Sequence, residues 1–128
     1  MWECPDCGAD NSSEAECVGC GFPLFQPLKL VSEETGNEKT LKLKLNLGRR
    51  LLRSFAGEGA QYAAEPQFRV FPNRSKEWVL EKIPDLKNPT FHNGAEAAED
   101  QVVLKDGDVI SIGSRTSDAQ TMKLKVHL

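Results

Sequence analysis

Residues 1–25 contain no lysine and no arginine, and beyond Cys20 the chain contains no cysteine. The first absence leaves Glu3, Asp6, Asp10, Glu14 and Glu16 unopposed, a local charge of −5 that repels a polyanion. The rest of the chain holds 16 basic and 14 acidic residues with no dense basic stripe, so nucleic acid is disfavoured as a partner. Histidine is scarce as well: only His92 and His127 occur. With all cysteines gathered near the start, no Ser/His/Asp or Cys/His set with a plausible nucleophile can be drawn, and the chain reads as a non-enzyme. His92 falls in a turn near Asn88, where it could titrate beside a ligand, and His127 falls on a strand. The acidic group Glu96, Glu99 and Asp100 lacks calcium-loop spacing. No apolar run approaches the length of a bilayer span, and MWECPDC has neither the basic region nor the apolar core of a signal peptide. The expectation is a cytoplasmic protein, kept reduced and without membrane insertion.

What is present divides in two. Cys4-Pro5-Asp6-Cys7-Gly8 and Cys17-Val18-Gly19-Cys20-Gly21 are two Cys-x2-Cys pairs nine residues apart. A glycine after each pair permits the positive φ that wraps two thiolates around one ion. Four soft ligands in a tetrahedron suit Zn²⁺, and they leave no open position for a catalytic water. A segment this short cannot fold on an apolar core, so one structural zinc, held by Cys4, Cys7, Cys17 and Cys20, would supply its folding energy, on the order of 10–16 kcal/mol. A pair of disulfides competes with this reading but is disfavoured in a chain without a secretory signal. A redox pair is disfavoured too, because no βαβ pattern surrounds either motif. The stretch CPDCGADNSSEAECVGCG resembles the zinc ribbon that bacterial regulatory proteins carry at their N-terminus, with Pro5, Gly8, Asn11, Ala15 and Gly21 in matching positions. Trp2 and Asn11 are also similar to the nucleoporin-type zinc finger. The spacing is one residue short of that pattern and its base-stacking residues are absent, so no RNA function is carried over, and Trp2 is expected to pack over the metal site.

The second part, residues 24–128, is patterned for strands. Leu41, Leu43, Leu45 and Leu47 alternate with Lys42, Lys44 and Asn46, which predicts one half-buried antiparallel strand leading into Gly48, Arg49 and Arg50. A guanidinium pair at the exit of a core strand is placed to meet an anion. Leu28–Val31 predicts a strand joined to it by a Gly36-Asn37 hairpin. Leu51, Leu52 and Phe55 predict one helical turn over an end of the body. Further strands are expected at 68–71, 78–83, 102–104, 109–113 and 122–128, with a polar hairpin loop over 114–120. Many short strands and little helical periodicity predict an all-β protein: a small four-cysteine ribbon over residues 1–23, then an antiparallel β-sandwich over 24–128 whose terminal strands are neighbours.

The order of features from residue 24 resembles the forkhead-associated (FHA) domain, a sandwich whose loops at one end bind phosphothreonine peptides. Gly48-Arg49, Trp78-Val79-Leu80, the segment Asp85–Gly94 and, most specifically, Leu104–Gly113 carry the resemblance. It implies Arg49 as the phosphate-reading arginine and Asn88 as the residue holding the peptide backbone, with Arg50, Thr90 and Asn93 as further peptide or phosphate candidates. The family's Ser-x-x-His reads Ala64-Glu65-Pro66-Gln67 here, and Pro89 replaces a glycine. Ala64 cannot donate, Glu65 opposes a phosphate, and Gln67 stands for a histidine that braces the loop. The favoured reading is therefore a non-enzymatic adaptor or signalling module with a degenerate phosphate site and a protein partner. The alternatives are retained phosphothreonine binding and a nucleic-acid-associated ribbon protein.

Overall fold

The leucine ladder at 41–47 is divided between two sheets. The computed structural model describes residues 1–12, 15–96, 99–114 and 117–128. Its elements in the cysteine-bearing part are β1 (Trp2–Glu3) and β2 (Asp10–Asn11). There follow β3 (Leu28–Ser32), β4 (Glu38–Leu41), β5 (Leu45–Leu47), α1 (Arg49–Ala56) and a 3-10 helix (Glu58–Tyr62). The chain continues through β6 (Phe68–Pro72), β7 (Trp78–Lys82), β8 (Thr90–His92) and β9 (Ala95–Glu96). It ends with β10 (Gln101–Val103), β11 (Val109–Ser114) and β12 (Ser117–His127).

β4 pairs with β3, whereas β5 pairs with β6 in the other sheet. The chain bends at Lys42 and Leu43 to cross between them. Leu41 and Leu47 are buried at either side of the crossing, but Leu43 lies on it and is exposed. Period-two alternation describes each half and says nothing of the bend, because both halves point leucine into one shared core.

The sheets are antiparallel. One has the order β10-β7-β6-β5, and the other β4-β3-β12-β11-β8-β9. Leu28 and Leu30 of β3, Ile110 and Ile112 of β11, and Leu124 and Val126 of β12 face Leu47, Phe68, Val70, Trp78 and Leu80 across one apolar cluster. Each such side chain contributes roughly 1.5–3 kcal/mol on burial. The expected sandwich is present, and β3 and β12 pair as the terminal strands of this body. Within the stretch expected as a polar loop, 114–120, Ser114 ends β11 and residues 117–120 belong to β12; Arg115 and Thr116 lie outside the described residues.

The helical turn expected from Leu51, Leu52 and Phe55 is a full helix. Leu52, Phe55 and Ala56 turn inward, with Ala60 of the 3-10 helix and Ala63 behind them, and together they close one end of the sandwich. The opposite face of α1 carries Arg49, Arg50, Arg53 and Ser54 to solvent. No helix is long and apolar enough to cross a membrane among the described residues.

Candidate functional site

Two places concentrate chemistry. The first is the cysteine cluster, which is built from two near-copies of one turn. Gly8 N–H donates to Cys4 O and Gly21 N–H to Cys17 O, each at 2.9 Å, with φ of 78° and 79° at the two glycines. Asp6 N–H reaches Cys4 Sγ at 3.4 Å and Gly19 N–H reaches Cys17 Sγ at 3.3 Å. Asn11, almost fully buried, ties the copies together: its Nδ2 donates to Ala9 O and its Oδ1 accepts from Val18 N–H.

The four sulfurs lie within 4.8 Å of one another, with Cys4–Cys20 and Cys7–Cys17 pairs at 3.5 Å. A tetrahedral ion with bonds of about 2.3 Å would set sulfur edges of about 3.8 Å. The cysteines are not in disulfides. Burial works against a thiolate at Cys17, but the amides of Gly19 and Cys20 outweigh it and bring the group down to about 6. At Cys7 the Ala9 amide favours the thiolate, yet hydrogen bonds shared with Cys17 and Cys20 push the group up to about 12. Four sulfurs this close cannot all ionise unaided; a bound cation removes the conflict. The donor set fits a metal ion.

The cysteine turns sit against the sandwich through Phe25, which meets Trp2, Phe22 and Trp78 edge-on with ring centroids 6.4, 6.0 and 5.6 Å apart. Trp2 thus packs beside the cluster, as expected, and leans on Phe25 as well. Arg74 adds an ion pair to Asp6 and lies over the Phe22 ring at 5.4 Å.

The second place is the end of the sandwich where α1, the 3-10 helix and the segment before β8 meet. Arg49 Nε donates to Ala63 O at 2.9 Å, and Asn88 Nδ2 donates to the adjacent carbonyl, Tyr62 O, at 3.3 Å. Two residues 39 positions apart in sequence thus grip one short segment. Gln67 is fully buried beneath them. Its Oε1 accepts from Ala64 N–H at 2.7 Å, and its Nε2 donates to Asn88 O at 2.9 Å and to Thr90 Oγ1 at 3.1 Å. The amide braces the loop by using both ends of its side chain. Thr90 is buried and returns a hydrogen bond to Gln67 O.

α1 lacks a side-chain cap of its own at Gly48 and has no acidic residue in its first turn. Glu65 comes from across the loop instead: its Oε2 accepts Arg50 N–H at 3.1 Å. Arg49, Arg50, Arg53, Ser54 and Glu65 line an open cleft of about 650 Å³.

Asn93 is elsewhere. Asn88 and Pro89 stand beside Gly113, whereas Asn93 stands beside Val109, at the far end of β8 and β11. Asn93 Oδ1 accepts Val109 N–H, and its Nδ2 donates to Asp108. His92 belongs to this far end too, with Nε2 at 2.8 Å from Asp108 Oδ2, and not beside Asn88 as its position in the chain suggested. Burial resists ionisation of Asp108, but the hydrogen bonds from His92, the Lys105 amide and Asn93 outweigh it and hold the carboxyl below its ordinary value.

Sequence reasoning brought Arg49 and Asn88 to one loop end, with Arg50 as a further candidate; Arg53 and Ser54 join the arginines there in the structure. That reasoning set Gln67 where the resembled family has a bracing histidine without foreseeing that the glutamine braces the loop itself, and it missed the reach of Glu65 to Arg50. A glutamine before a strand and a glutamate before a proline carry no local signal of such partners.

No protein-family model matches this chain, and no curated protein does. Among solved structures, it is similar to the solution structure of the FHA domain of an Arabidopsis thaliana hypothetical protein, with a TM-score of 0.63 and 21% identity over 94% of each chain. At that identity the likeness shows the fold: an antiparallel sandwich of FHA type.

Proposed function

We propose that the chain is a non-enzymatic protein-interaction module, an adaptor of FHA type whose phosphate site is degenerate and whose cysteine centre holds one structural Zn²⁺. The observation that carries this reading is the engagement of Arg49 and Asn88 with the chain's own carbonyls at Ala63 and Tyr62. Those are the donors that the fold resemblance reserves for a ligand. Ala64 offers no hydroxyl, and each charge-assisted bond lost to phosphate removes roughly 1.5–3 kcal/mol, about tenfold to a hundredfold in affinity. Recognition then rests on the shape of the loop end and on its exposed groups, Arg50 and Tyr62 among them. Thr90 acts from below through Gln67, and Asn93 holds the turn at the opposite end.

Zinc is favoured at the cysteine centre because four thiolates close a tetrahedron around an ion with no redox chemistry. The same thiolates favour a reducing, cytoplasmic setting. In this proposal residues 1–23 and 24–128 are two units, and the acidic first unit argues against nucleic acid as the partner.

A second reading, retained phosphothreonine binding, draws support from the arginines of the α1 cleft. Peptide pairs differing only in threonine phosphorylation separate the two. The degenerate-site reading expects equal affinity within each pair and weaker binding by Arg49→Ala. A phosphopeptide bound about tenfold more tightly than its partner overturns it in favour of the second reading.

A further inference from the structure

Among the described residues, no carboxylate pairs with the guanidinium of Arg49, Arg50 or Arg53; the ion pairs formed lie elsewhere. Three exposed arginines whose guanidinium groups form no ion pair give this surface a local excess of positive charge in a chain with net charge −3. Two of them open α1, the end of a helix where the backbone dipole already carries positive charge. A single carboxylate enters this cleft, that of Glu65, and it is bonded to the Arg50 amide.

Gly48 permits the approach. Its backbone is extended, at φ −119° and ψ −178°, so any residue could adopt it. A Cβ built there would lie 1.7 Å from Glu65 Oε1 and 2.3 Å from its carboxyl carbon. The missing side chain, not the missing strain, makes room for the carboxylate.

We infer that Glu65 is an internal plug: its carboxylate occupies the oxyanion position of the Arg49–Arg50–Arg53 cleft and thereby excludes phosphorylated side chains. This rests on the reading of the loop end as the recognition surface and deepens it, since it names the residue that sets selectivity there. One carboxylate oxygen accepts the Arg50 amide and the other lies beside Gly48, in a cleft lined by the three arginines. A second anion cannot share the position, both because the space beside Gly48 is taken and because like charges at contact distance repel. With the plug gone, the same amide and arginines face a vacant position of the right charge. The ligand class admitted is a phosphate monoester. An unphosphorylated partner is unaffected by the plug, as it brings no competing charge.

The test is a titration of ¹⁵N-labelled full chain, zinc-loaded, with inorganic phosphate and with O-phosphothreonine, following the Arg50 amide by NMR. The wild-type chain is expected to show little shift. Glu65→Ala, an exposed position whose loss should leave the spectrum dispersed, is expected to show saturable shifts with half-saturation lower by about tenfold or more. Adding Gly48→Ala to Glu65→Ala is expected to abolish the gain, because the new Cβ fills the oxyanion position. Equal titrations of wild type and Glu65→Ala overturn the plug. So does a gain that survives Gly48→Ala, which would be diffuse attraction to arginines. Should Glu65→Ala lose its dispersed spectrum, Glu65→Ser, which also vacates the space beside Gly48, must gain phosphate over wild type, or the inference fails. None of these readouts involves a protein partner, so failure of the adaptor reading in the peptide titrations is a separate result.

Discussion

Trp78 stands at the join between the cysteine turns and the sandwich. Its indole meets Phe25 edge-on at 5.6 Å, and its Nε1–H donates to Gln26 O at 2.6 Å. One face of this indole belongs to the sandwich core, while its cover is delivered by the segment that the cysteines hold in place.

Metal removal should therefore be visible at Trp78. A chelator is expected to release close to one zinc per chain, to unfold the cysteine turns and to shift tryptophan emission to the red. Circular dichroism should retain the β signal of the sandwich. Full metal loss with unchanged emission would separate the two parts energetically, and a metal-free yet folded segment would remove zinc from its structural role.

Phe25→Ala should loosen the join in the metal-loaded chain. Phe-to-Ala changes in cores cost about 3–5 kcal/mol, and partial exposure of Phe25 places it at or below the lower end. Arg74→Ala, which removes an exposed ion pair and a cation–π contact, should have a smaller effect that shrinks further in high salt. Denaturant melts of both variants, followed by tryptophan emission, check the order.

Gln67→Ala should destabilise the loop end. It leaves the Ala64 amide and the Asn88 carbonyl without their buried partner, a loss of about 3 kcal/mol from unsatisfied groups and the cavity together. Hydrogen exchange at Ala64 should accelerate more than at the strands. A variant as stable as wild type would mean that the brace is replaced by water.

Asp108 should make stability fall in acid. Its carboxyl ionises more readily in the folded chain than in the unfolded one. The unfolded state therefore binds the extra proton as pH falls below the ordinary aspartate value, about 3.9. The stabilisation is complete above that value and is lost as pH drops through the lower folded value. Asp108→Asn should flatten this acid limb and weaken the turn that holds Asn93 and His92. Urea midpoints measured between neutral pH and pH 3 report it; identical limbs in both proteins would assign the acid loss to other carboxylates.

The amino-acid order by itself determined those features whose cause is local. Two Cys-x2-Cys-Gly turns bring four thiolates together because each turn closes within five residues. Alternating leucine, valine and isoleucine makes strands that bury one face, and polar Gly-Asn and Asp-Gly steps make their turns. Only the tertiary structure decided where these elements meet. It divided the leucine ladder between two sheets, since a bend at Lys42 and Leu43 preserves the alternation on either side. It brought Glu65 to the Arg50 amide and Gln67 beneath Asn88, and it moved His92 away from that end. Such pairings depend on the packing of α1 over the sandwich, and a hydrogen bond between groups 15 or 21 residues apart leaves no periodic trace in the chain.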